Sequence, residues 1–243
     1  MSEQGQRRVW WRRLVFVTVA VLCGLGVNQA LIHPDTPLPP EWNPTKPFSV
    51  SHALSPLTQW KLAGVEASAQ TCLAALEEAG AQFTPLPAVE NSDQCHIRNR
   101  VRLTGLGEAR MAPVETRCDV ALRLALWERQ SLTPLAKAQL GATVAEVHHF
   151  SSYNCRKIRT SRGVSDRWST HASARAIDIS GVTLADGTRV DLRKHWEEEG
   201  ARSAYLKAIQ NDACAIFGLV LGPNYNALHA DHFHIQMSGQ GCR

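Results

Sequence analysis

The sequence predicts an α+β domain, a mostly antiparallel sheet with helices packed on one face, preceded by one transmembrane helix. Three observations carry this. Apolar residues recur at helical spacing in the first half of the domain and at strand spacing in the second, with one interrupting helix. Short alternating segments near residues 144–150, 174–180, 188–192 and 232–237 each have the length of a strand. Ahead of them, Leu14–Ile32 runs for 19 residues without a formal charge.

That run is long enough to cross a bilayer as a helix. Arg7, Arg8, Arg12 and Arg13 precede it. Such a one-sided cluster stays cytoplasmic, so the rest of the chain is expected across the membrane. Asn28-Gln-Ala30 is a poor cleavage site, which favours a retained anchor over a cleaved signal peptide. Residues 1–13 then form a basic cytoplasmic tail and 14–32 the anchor. Residues 33–54 follow as a proline-rich spacer. Six prolines between His33 and Phe48 favour extended, semi-rigid geometry there. The remaining 55–243 form the domain.

Within the domain, Leu57–Glu78 is expected as one helix, stopped by Gly80. Residues 81–114 are mixed and hold a short strand at Val101–Leu103. Cys118–Gln130 reads as a second helix burying Val120, Leu122, Leu124, Ala125 and Trp127. Ser131-Leu-Thr-Pro134 looks like the cap of a third helix ending at Leu140. Val144–Phe150 is a strand that delivers Tyr153 and Arg156 to its end. Residues 157–168 are polar and read as a loop over a cleft. Ala174–Ser180 is a strand, and Ala185-Asp-Gly187 turns it into a partner at Thr188–Leu192. Ala201–Phe217 is a helix ended by Gly218, and His232–Met237 is the closing strand.

The apolar share of 44% is that of an ordinary globular chain. Net charge is +4, partly from the N-terminal arginines, so no global basic footprint for nucleic acid exists. Of seven cysteines, Cys23 falls in the anchor. The other six are Cys72, Cys95, Cys118, Cys155, Cys214 and Cys242. An even number beyond an anchor suits an oxidising compartment and three disulfides, whose pairing the sequence leaves open. None of the six forms a C-x-x-C pair, which argues against a cysteine zinc site. A bridge at Cys155 would stiffen the loop that carries Arg156.

Two segments carry candidate chemistry, Ser169–Asp178 and His229–Gln236. Alternation places His232, His234 and Gln236 on one strand face, with Phe233 and Ile235 on the other. Ile177 and Ile179 face a core, so Asp178 points the other way. His171 lies seven residues earlier, an offset that puts it on the incoming loop. His171, Asp178 and a histidine of the second segment form a candidate three-ligand zinc set, leaving a fourth position for water, the usual hydrolytic nucleophile. His148 and His149 are adjacent, so only one can face a cleft, and both read as structural.

These residues resemble the extensin-like C-terminal domain family of bacteria, over about residues 55–243. The motifs are also similar to a zinc peptidase group of D-alanyl-D-alanine carboxypeptidases and dipeptidases, lysostaphin-type endopeptidases and the hedgehog fold. That group's first motif, Ser-x-His-x-x-Gly-x-Ala-x-Asp, is matched by Ser169, His171, Ala174, Ala176 and Asp178, with Ala174 where Gly is usual. Its second motif is His-x-His, or an acid three residues before the last His. Asp231, His232 and His234 fit both versions. Ser152-Tyr-Asn-Cys-Arg156 resembles the Ser-x-Tyr-x-Cys-Arg segment of extensin-like domains.

The resemblance implies a hedgehog- or carboxypeptidase-like fold with zinc on His171, Asp178 and His234. It implies Arg156 as the substrate-carboxylate binder, and either His232 or Asp231 as general base. Strand alternation favours His232, because it puts Asp231 on the opposite face. The implied function is a single-pass inner-membrane zinc metallopeptidase whose periplasmic domain acts on peptidoglycan cross-link or stem peptides. The alternative is a non-catalytic module that binds the wall or another envelope polymer and keeps the fold.

Overall fold

The computed structural model describes residues 3–243. The first two residues of the basic tail lie outside that range. The N-terminal run is one helix, Glu3–Ile32, which extends back through the arginine cluster. Its apolar window is wholly unburied within the chain, and it is long and apolar enough for a membrane span or a signal. Together with the disulfides below, this points to an extracytoplasmic domain.

The proline-rich stretch is not a free spacer along its length. Phe48 and Val50 join the hydrophobic core, and Gln130 Nε2 donates to Val50 O. Lys61 Nζ donates to Pro40 O and Ser55 Oγ to Glu41 O. The end of the long helix is held as well. Its Leu31 carbonyl, one of those that a helix terminus leaves without an internal partner, accepts from Asn43 Nδ2 and Thr45 Oγ1. Phe48 and Val50 thus pack with the domain that follows them.

Helix boundaries follow local capping. The expected helix 57–78 is two, Thr58–Glu66 and Ala69–Glu78. Ser68 breaks it by adopting extended geometry, its side chain accepting from Thr71 N. The helix Cys118–Trp127 buries every residue from Val120 to Trp127, its one charged member in that run, Arg123, being paired with Glu66. It does not stop at Gln130. A π-helical turn, Glu128–Leu132, carries it directly into Thr133–Leu140. The expected Ser131 cap is absent because Ser131 Oγ donates to Asp212 instead. The last helix is Ala201–Ile216, and Phe217 already has extended geometry ahead of Gly218.

Nine strands form one sheet. In spatial order eight of them are Gln82–Pro85, Arg100–Gly105, Arg110–Arg117, Val144–His149, Ala176–Leu184, Phe233–Gln236, Leu219–Leu221 and Gly241–Cys242. The ninth, Arg189–Asp191, pairs with Ala176–Leu184. The sheet is mixed, though mostly antiparallel. Arg110–Arg117 runs parallel to Val144–His149, and Leu219–Leu221 parallel to Gly241–Cys242. The first parallel pair follows from connection length, since the helical run 118–140 lies between its strands and serves as the crossover. Residues 157–168 are a β-hairpin, Lys157–Thr160 with Gly163–Trp168, instead of an irregular loop.

The strand Ala176–Leu184 is the spine. On one edge it pairs with Val144–His149. Its other edge is shared end to end by Phe233–Gln236, opposite residues 176–179, and Arg189–Asp191, opposite 181–183. Gly181 stands at the changeover with φ +155, where an added Cβ would strike Val190 O. Three disulfides brace the fold: Cys72–Cys118, Cys95–Cys155 and Cys214–Cys242. Cys23 is free and exposed.

Candidate metal centre

His171 sits on a short 3₁₀ turn, Thr170–Ser173, with Ser169 at its N-cap. Ala174 ends the turn in left-handed geometry, φ 49 and ψ 31, and donates its N–H to the carbonyls of His171 and Thr170. This kink folds the chain back into the Asp178 strand. It is how two residues seven apart come to face each other, in a backbone conformation that glycine adopts more readily than alanine.

Asp178 and His234 meet through register, being direct partners across adjacent antiparallel strands. The backbone of Asp178 is occupied on the far side, its N–H donating to Ser151 O and its C=O accepting from Phe150 N. Asp178 and His234 therefore form the pair type without mutual backbone hydrogen bonds, which brings side chains closest.

Three atoms converge. His171 Nε2 lies 3.2 Å from Asp178 Oδ1 and 3.1 Å from His234 Nδ1, and His234 Nδ1 lies 3.0 Å from Asp178 Oδ1. Four-coordinate zinc, about 2.0–2.2 Å from nitrogen and oxygen donors, spaces its ligands roughly 3.3 Å apart. The triangle is thus close to the size that one such ion needs.

The outer nitrogens fix what the inner ones offer. His171 Nδ1 is 2.8 Å from Ser152 O, which only accepts, so Nδ1 carries the proton and Nε2 a lone pair. His234 Nε2 is 3.0 Å from Gln236 Oε1. The Gln236 amide is oriented by Nε2 donating to Ser238 O and Oε1 accepting from Thr170 Oγ1. His234 Nδ1 therefore also presents a lone pair. Two lone pairs and a carboxylate oxygen aimed at one point repel unless a cation sits between them. These residues fit a divalent metal with nitrogen and oxygen preference, and the fit does not identify the ion.

Burial pushes the Asp178 carboxyl up, but positive charge beside it outweighs burial and holds it well below the usual carboxylate range, whether as protons that His171 and His234 turn toward Oδ1 or, with their lone pairs free, as a bound cation. It stays ionised, as a ligand must.

His232 Nδ1 donates to Asp231 Oδ1 at 2.8 Å, leaving Nε2 as a lone pair 3.6 Å from Asp178 Oδ1. The strand begins only at Phe233, and Asp231 lies in the preceding turn. Alternation thus does not separate the two candidate bases, which form a hydrogen-bonded dyad. His229 packs beside them, ring centroids 5.3 Å from His232 and 5.9 Å from His234. Its Nδ1 donates to Asn226 Oδ1. Burial first, then His232 and His234, lower its pKa to about 4, so it is neutral at physiological pH. Phe150, 56% exposed, stacks edge-on with His232 and gives the site an apolar rim.

Arg156 is half-buried and donates only to the carbonyl of Lys157; it makes no ion pair among the described residues. Its own carbonyl accepts from Ser169 N, so it stands next to the His171 turn. The Cys95–Cys155 bridge pins the same loop. His148 bonds Thr183 Oγ1 and His149 bonds Ala112 O, away from the three ligands.

Sequence reasoning missed two supports. Gln236 orients His234, and its signal was present, since it shares a strand face with that residue. Ser152 acts through its carbonyl, while its fully buried hydroxyl donates to Ala176 O. A backbone acceptor leaves no mark in side-chain patterning.

No curated protein and no solved structure matches this chain. A family model does, over residues 70–243, under the description Extensin-like protein C-terminus. With the match covering most of the chain, including every residue of the His/Asp/His centre, the protein belongs to the extensin-like C-terminal family.

Proposed function

We propose that the domain is a zinc-dependent peptidase of the cell envelope, acting on peptidoglycan stem or cross-link peptides from a single-pass inner-membrane anchor. The observation that carries it is the convergence of two imidazole lone pairs and one carboxylate oxygen at 3.0–3.2 Å. On this reading the domain is hedgehog- or carboxypeptidase-like, and the ion is zinc on His171, Asp178 and His234. Zinc with three protein ligands supplies Lewis-acid chemistry and makes a water acidic near neutral pH.

The chain's own residues do the rest. His232 Nε2 takes the proton from the attacking water, and Asp231 holds the ring in the required tautomer and stabilises its charged form. Arg156 offers a guanidinium to a substrate carboxylate, which it matches with paired hydrogen bonds. Phe150 shields the dyad from bulk water.

The test is His234→Ala, assayed for zinc content and for muropeptide release from isolated sacculi. Loss of both is expected. Release at the parent rate would overturn the reading. Sacculus binding without turnover by the parent would assign the domain to wall binding instead.

A further inference from the structure

The hairpin 157–168 pairs only with itself and stands apart from the main sheet. With Arg156 it carries five cations, Arg156, Lys157, Arg159, Arg162 and Arg167, against one acid, Asp166. That net +4 equals the charge of the whole chain. Lys157 pairs with Asp166 at 3.4 Å, while the four arginines form no ion pair among the described residues. Both strands are largely exposed, Val164 at 70% and Trp168 at 43%. Lys157 stands opposite Trp168 and Arg159 opposite Val164, so cations alternate with apolar surface.

Unpaired arginines gathered on one surface repel one another and attract an anion laid along them. The root of this hairpin is also the edge of the metal centre. Arg156 O accepts from Ser169 N, and Asn154 N donates to His171 O. The base of the hairpin is therefore joined by hydrogen bonds to the turn that carries His171.

We infer that the hairpin is a docking arm for an extended polymer bearing repeated carboxylates, which it holds while one segment enters the metal centre. In the setting proposed above, on which this rests, that polymer is the peptide-bearing wall. An anionic lipid surface would satisfy the charge, but not the continuity with the His171 turn.

The experiment uses the full chain in detergent micelles. Arg159→Ser, Arg162→Ser and Arg167→Ser are combined, and pelleting with isolated sacculi is measured at low and high salt, beside phosphatidylglycerol vesicles. Sacculus binding is expected to weaken about tenfold or more at low salt, because several screened contacts are lost together. Metal content and melting temperature should stay unchanged, and the triple Arg→Lys variant should bind like the parent. Should the serine variant misfold, the parent alone still decides, since its binding must fall steeply as salt rises. Parent-like sacculus binding by a folded serine variant, salt-independent binding by the parent, or a loss confined to vesicles overturns the inference. Absence of muropeptide release by the parent would sink the hydrolytic reading and leave the docking arm standing.

Discussion

Ala174 holds a left-handed backbone with its side chain fully buried, at the bend that brings His171 to Asp178. An L-residue pays about 1–2 kcal/mol for that conformation, which glycine does not. Burial of one methyl offsets part of it. Ala174→Gly is therefore expected to be at least as stable as the parent in urea unfolding; a loss of about 1 kcal/mol or more would contradict the strained reading. A second residue-scale expectation concerns Gln236. Gln236→Leu removes the acceptor that sets the His234 tautomer, and metal affinity should fall about 10–100-fold in a competitive chelator titration, with little change in unfolding of the metal-free protein. The facing of Asp178 and His234 was legible because strand alternation advertises which side a residue occupies, and the offset of His171 marked it as a loop residue; the structure brings the three together as a possible metal triad. The choice of base was not, since it turned on whether the strand starts before or after His232.

At the scale of elements, the three-segment helix 118–140 shows where local signals mislead. Ser131-Leu-Thr-Pro134 has the composition of a cap, yet tertiary packing overrode it through the Ser131–Asp212 bond and a π turn. Glu128, buried in that turn, accepts from Thr133 Oγ1, and burial still pushes its pKa up. Its folded pKa lies above the unfolded one. The stability it contributes is present at acid pH and is lost as pH rises through the raised value. Glu128→Gln should thus be more stable than the parent at neutral pH, with the gap closing on acidification into the ordinary carboxylate range. A gap that widened in acid would refute this. Arg123 joins three elements, pairing with Glu66 at 2.6 and 2.9 Å and donating to Gln59 and Ile216 O. Arg123→Ala leaves a buried carboxylate without its partner and should cost about 3–5 kcal/mol by denaturant unfolding. The strands at Gln82–Pro85, Arg110–Arg117 and Leu219–Leu221 escaped sequence reading because each is short, or carries proline or charge that breaks the alternation.

For the whole molecule, the three disulfides close spans of 46, 60 and 28 residues. In the chain-entropy limit each is worth about 3.5–4.5 kcal/mol. The number of bridges was readable from an even cysteine count, but their pairing depends on which helices and loops lie side by side. The same division applies to the leader. Its length and charge pattern were plain in the sequence, whereas the capping of Leu31 by Asn43 and Thr45, which ties helix end to domain, was not. The proposed function depends on one cation joining three side chains from a turn and two strands. The most direct measurement is metal stoichiometry of the purified full chain by elemental analysis, with Asp178→Asn as the comparison. The parent should carry about one zinc per chain and the variant close to none. A parent free of metal after zinc loading, or a variant that holds it as tightly, would contradict the account.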